Sequence, residues 1–91
     1  MSDPIASDPG SSGPGQVSTE VDARGLACPM PVIELARAVE GERVGALVRL
    51  LATDPAAKID VPVWCRMQRQ GLRAATEADD GSWLFLVEKL R

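Results

Sequence analysis

The segment Leu72-Arg73-Ala74-Ala75-Thr76-Glu77-Ala78-Asp79-Asp80-Gly81-Ser82-Trp83-Leu84-Phe85-Leu86-Val87-Glu88 decides the fold. Asp79-Asp80-Gly81 is a turn sequence between two strand-like runs, so the segment reads as a β-hairpin. Its two arms differ. Ser82 to Glu88 places Trp83, Phe85 and Val87 on one face and Leu84 and Leu86 on the other. A strand that is apolar on both faces belongs inside a sheet. Leu72 to Glu77 is less apolar and suits an edge.

The same reasoning extends toward the start of the chain. Ala46 to Ala52 is nearly all apolar and reads as a second central strand. Val17 to Asp22 alternates Val17, Thr19 and Val21 with Ser18, Glu20 and Asp22, which marks a half-buried edge strand. Between these two runs the spacing predicts a helix from Pro29 to about Glu40. Val32, Leu35, Ala36 and Val39 form its apolar stripe, Glu34 and Arg37 lie opposite, and Gly41 ends it. After a turn at Asp54-Pro55, Asp60 is the expected N-cap of a second helix running from Val61 to about Gln70, with Pro62 tolerated in the first turn. A helical wheel puts Val61, Trp64, Cys65 and Leu72 on one side. It puts Arg66, Arg69 and Arg73 on the other, as a solvated basic stripe or a docking face for an acidic partner.

The element order is βαβαββ. A right-handed crossover joins strands one and two, and the hairpin joins three and four. With two and four central, the strand order is 1-2-4-3. The expected fold class is an α/β two-layer sandwich, a four-stranded mixed sheet with both helices packed on one face. The other face must then carry apolar residues of the last strand, either as a partner or dimer surface or covered by long side chains such as Arg49. A monomer is expected.

Composition narrows the function. The chain has 91 residues, no histidine and a formal net charge of −3. Asp3 and Asp8 supply two of those negative charges, so no basic excess exists to track phosphates, and a direct nucleic-acid role is not expected. Residues 1–16 are rich in Ser, Gly, Pro and Asp and read as a disordered tail, leaving residues 17–91 as one domain. There is no secretory signal and no apolar run of membrane-spanning length. With two cysteines and no disulfide framework, a cytoplasmic protein is expected. Two cysteines without histidine make a poor zinc site, and no metal or cofactor is expected.

The chemistry points to Cys28, within Cys28-Pro29-Met30-Pro31 at the start of the first helix. Without histidine, no Cys–His or Ser–His pair is possible. With Pro29 at the first helical position, Cys28 is the expected N-cap, and Met30 offers the one nearby free N–H. The helix dipole favours a thiolate there, by about 0.3–1 kcal/mol when exposed, which lowers a thiol pKa by about one unit or less. Arg24 would add to this, and Asp22 would oppose it if it faced the sulfur. A reactive thiol is weighed against a structural cap or redox-sensitive cysteine in a regulatory module. Cys65, beside Trp64 on an apolar helix side, reads as a buried structural thiol, with a resolving role as the alternative. Met30 is expected to be exposed.

These residues carry a resemblance. Asp22-x-Arg24-Gly25-Leu26-x-Cys28-Pro29-x-Pro31 resembles the signature of the TusA/SirA family of small sulfur-carrier proteins. It continues through Gly41-Glu42, Asp54-Pro55 and Asp60-Val61-Pro62-x-Trp64-Cys65, covering Val17 to Arg91. The resemblance implies the same βαβαββ sandwich. It implies a carrier, rather than a stand-alone enzyme, in which Cys28 takes sulfane sulfur as a persulfide and Arg24, Gly25, Pro29, Met30 and Pro31 support the site. It also implies partner proteins: a cysteine desulfurase or rhodanese-like donor, and acceptors serving tRNA thiolation, cofactor synthesis or sulfur oxidation. The chain differs from some members in lacking a histidine after the second helix and in carrying the Ser/Gly/Pro tail.

Overall fold

The computed structural model describes residues 16–91. The tail expected over residues 1–16 lies, apart from Gln16, outside the described residues. From there the chain forms β1 (Val17–Ala23), α1 (Met30–Glu40), β2 (Leu47–Ala52), α2 (Ala57–Gln68), β3 (Gly71–Glu77) and β4 (Trp83–Glu88). The sheet order is β1-β2-β4-β3, with β1 parallel to β2 and both hairpin strands antiparallel to their neighbours. This is the expected 1-2-4-3 mixed sheet.

Alternation along the strands builds one core. Val48, Leu50 and Ala52 of β2 and Phe85 and Val87 of β4 point to the helical layer, all essentially inaccessible to solvent. They meet Leu35 and Val39 of α1 and Ala57, Val61 and Cys65 of α2. Lys58 lies over the Trp83 ring, 5.5 Å from its centre.

The last strand does present apolar residues on the sheet face away from the helices. Leu84 and Leu86 point there, half-buried, beside Leu51. Two cross-strand ion pairs cross this face, Arg49 to Glu20 and Arg73 to Glu88, each at 2.7 Å. All four side chains of these pairs are partly exposed to solvent. Among the described residues no helix is long and apolar enough to cross a membrane.

Four expectations about the second helix need correction. The second helix begins at Ala57, a turn before Val61, so Asp60 lies in its first turn and is not its cap. Its buried stripe recurs every fourth residue from Ala57 through Val61 to Cys65, and one more turn buries one more residue. Ala56 stands at its N-cap position with no side-chain cap, and Asp54 braces the turn before it, accepting the Ala56 N–H on Oδ1 at 2.9 Å. Pro62 is consequently internal to the helix.

The basic stripe is not a helix face. Arg69 closes α2 in the left-handed conformation (φ 58°), and Arg73 lies on β3 paired with Glu88. Leu72 likewise belongs to β3.

Candidate functional site

Parallel β1 and β2 set the site. A crossover from one parallel strand to the next must return antiparallel to both, so α1 and α2 run in the same direction and begin at the same end of the sheet. The hairpin turn lies at that end too, since Arg24 reaches both Asp22 (2.9 Å) and Asp80 (3.8 Å). The ends of three strands thus bring together the β1–α1 turn, the β2–α2 turn and the β3–β4 turn.

Cys28 stands in the first of these turns and is exposed. Gly25 makes the bend with φ +84°, a conformation that favours glycine, and its N–H donates to Thr53 Oγ1 at 2.8 Å. The Cys28 N–H donates to Asp54 Oδ2 at 2.8 Å, and the Cys28 thiol donates to Asp60 Oδ2 at 2.9 Å. The Cys28–Pro29 peptide bond is cis. Pro31 is buried beneath the turn; Pro29 and Met30 are exposed.

This geometry overturns the expected source of reactivity. The residue at the N-cap position is Pro29, and no side chain caps α1. The Met30 N–H donates to the Ala27 carbonyl at 2.8 Å, so it is not available to the sulfur. Arg24 is held by its carboxylate partners and adds nothing to the thiol. The group facing the sulfur is Asp60. Its hydrogen bond, then desolvation, then the negative charges of Asp60 and Asp54 push the Cys28 thiol above the ordinary value. These surroundings favour the protonated thiol, where the helix dipole alone had predicted easier ionisation.

Asp22, by contrast, does not oppose the sulfur. Hydrogen bonds from the Arg24 guanidinium, then one from its backbone N–H, and then its charge hold the carboxyl down at about 2. Cys65 is buried in the core, and desolvation pushes its thiol up to about 11.

Thr53, Asp54 and Asp60 are the residues that sequence reasoning missed here. Asp54 and Asp60 were visible as a turn and a helix start, but their meeting with Cys28 depends on which strand end each helix leaves. The outer side of α2 carries a second feature without a sequence expectation. Ile59, Val63 and Met67 recur every fourth residue on α2, offset by two from the buried stripe, and all three are exposed. Leu26, Met30 and Ile33, in the β1–α1 turn and the start of α1, are exposed as well.

The family described as "Sulfurtransferase TusA" matches the chain over residues 19–89. The chain belongs to the TusA family. A "Sulfur carrier protein TusA" from Pseudomonas syringae pv. syringae is 37% identical over 73 residues, covering 80% of this chain and 86% of that protein. A "Putative sulfur carrier protein" from Archaeoglobus fulgidus is 39% identical over 69 residues, covering 76% and 90%. The crystal structure of a SirA-like protein from Desulfitobacterium hafniense superposes with a TM-score of 0.71 at 22% identity, over 80% of this chain and 99% of that one. That last likeness supports the fold alone. The Cys28-Pro29-Met30-Pro31 element and the Asp54 and Asp60 carboxylates all fall inside the TusA-matched region.

Proposed function

We propose that this TusA-family protein is a cytoplasmic sulfur carrier in which Cys28 accepts sulfane sulfur from a donor protein and relays it to an acceptor protein. The observation that carries this reading is the exposure of Cys28 where three loops converge at the heads of both helices. The names of the relatives support the carrier role. A cysteine desulfurase or rhodanese-like protein is the donor class.

The reaction is thiol exchange. Cys28 sulfur attacks the terminal sulfur of the donor's persulfide, the donor's S–S bond breaks, and Cys28–S–SH forms as the donor thiol departs. A thiol of the acceptor then attacks the outer sulfur. Arg24 and Gly25 shape the turn that presents the sulfur, and Pro29, Met30 and Pro31 set the start of α1 beneath it. Exposed Met30 and Leu26 offer apolar contact beside it.

The test is mass spectrometry of the intact protein after incubation with a cysteine desulfurase and cysteine. A gain of one sulfur, about 32 Da, is expected in wild type and in Cys65→Ala, and its loss in Cys28→Ser. The raised Cys28 thiol favours one competing reading, a regulatory module in which the cysteine is structural. Absence of the sulfur adduct from wild type would decide for that reading.

A further inference from the structure

Two carboxylates face Cys28, and only one is fully occupied. Asp54, from the β2–α2 turn, accepts the N–H groups of Cys28 and Ala56 on its two oxygens. Asp60, from the first turn of α2, accepts the thiol proton at 2.9 Å. Among the described residues, the ion pairs of this protein give Asp22 and Asp80 to Arg24, Glu34 to Arg37, Glu20 to Arg49 and Glu88 to Arg73. None of these pairs involves Asp60. The start of α2 favours negative charge there.

A nucleophilic sulfur must lose its proton, yet a thiolate formed beside Asp60 would give up a hydrogen bond and set two negative charges in contact. The carboxylate therefore acts as a restraint.

We propose that Asp60 holds Cys28 as the unreactive thiol, and that a cationic side chain on the sulfur donor releases it by pairing with the Asp60 carboxylate. This rests on the carrier reading above and adds a condition on the partner: positive charge close to its persulfide. The balanced step is Cys28–SH plus R–S–SH giving Cys28–S–SH plus R–SH. The Cys28 proton leaves to solvent as the cation takes Asp60, the new S–S bond forms as the donor's breaks, and the departing thiolate regains a proton. One S–S bond replaces another, with no net oxidation. Asp60 is a positioning residue in this scheme, and its restraint keeps Cys28 out of exchange with disulfides that carry no such cation.

The test uses the full chain, its Asp60→Asn variant and two small disulfides: neutral 2-hydroxyethyl disulfide and dicationic cystamine. Mixed-disulfide formation at Cys28 is followed by peptide mass. At neutral pH the Asn variant should react faster with the neutral disulfide. The gain is about threefold for each unit by which the thiol pKa falls, because the tenfold rise in thiolate is partly offset by weaker nucleophilicity. The cystamine-to-neutral rate ratio should be severalfold larger in wild type than in the variant, which cancels the reagents' own difference. In wild type alone that ratio should fall as salt rises to about 0.5 M, where the Debye length is only a few ångströms. An unchanged neutral rate, an unchanged ratio between the proteins, or a salt-independent wild-type ratio overturns the proposal. None of these readouts involves a persulfide, so a failure of persulfide loading with these results intact would count against the carrier role and not against the restraint.

Discussion

Cys28 and Asp54 are joined by a hydrogen bond of 2.8 Å from the backbone N–H of the first to Oδ2 of the second, across 26 residues of sequence. One aspartate thereby fixes the backbone that presents the thiol and, through Ala56, the first turn of α2. Asp54→Ala removes the acceptor for both N–H groups. Because the site is exposed, water replaces part of the loss, and the expected destabilisation is small and local. Hydrogen exchange should quicken at the Cys28 and Ala56 amides more than at amides of β2 or β4. Uniform quickening across the sheet would contradict this local role.

Gly25→Ala isolates backbone strain from packing. A Cβ at this position meets nothing within 4 Å, while φ is +84°. The cost is then conformational, about 1–2 kcal/mol, which for a domain of this size lowers Tm by roughly 4–8 °C per kcal/mol. An unchanged melting temperature would show that the turn relaxes freely.

Acid should weaken the fold through three aspartates. Arg24 holds Asp22 at about 2, hydrogen bonds from Ala56 and Cys28 lower Asp54, and hydrogen bonds from Ser82 lower Asp80. Each binds its proton less readily in the folded chain than in the unfolded one. Their contribution is therefore complete above the ordinary carboxylate value near ~3.9 and is lost as pH falls below it, for Asp22 toward about 2. Urea midpoints should be flat from about pH 7 to 5 and decline below about 4. Asp22→Asn should show a shallower decline; an identical acid profile would remove Asp22 from the account.

The two cysteines should separate by reactivity. Burial pushes the Cys65 thiol up to about 11, and its side chain is closed off in the core. Alkylation at mildly alkaline pH should modify Cys28 first and reach Cys65 only through opening of the structure, at a rate that rises with denaturant. Because the folded Cys65 keeps its proton longer than the unfolded one, stability should also fall as pH rises beyond the ordinary thiol value near ~8.5. Equal labelling of both thiols in native protein would contradict the packing of α2.

Neighbouring residues of β4 should report the two faces of the sheet. Phe85 is 2% exposed against the helices, whereas Leu86 is half-buried on the open side. Phe85→Ala should cost about 3–5 kcal/mol, comparable to the whole stability a core of this size supplies. Leu86→Ala should cost about 1–2 kcal/mol, since its site is already partly solvated. Comparable losses at both positions would mean that the open face is covered.

The fold was legible in the sequence because its signals are local. Two-sided apolarity marks Ala46–Ala52 and Ser82–Glu88 as interior strands, and a turn of Asp79-Asp80-Gly81 makes the last two strands neighbours. With a crossover between parallel strands, the order of the sheet follows. Cys28-Pro29-Met30-Pro31 likewise drew attention to one sulfur without any coordinates. Tertiary structure alone decided what that sulfur faces. The helix dipole and Met30 belong to the thiol's own segment and argued for a thiolate; Asp54 and Asp60 lie 26 and 32 residues further on and turn that preference around. The chain's own order cannot express this, because electrostatic energy depends on distance through space. Only the packing of two helices starting from one end of the sheet sets that distance.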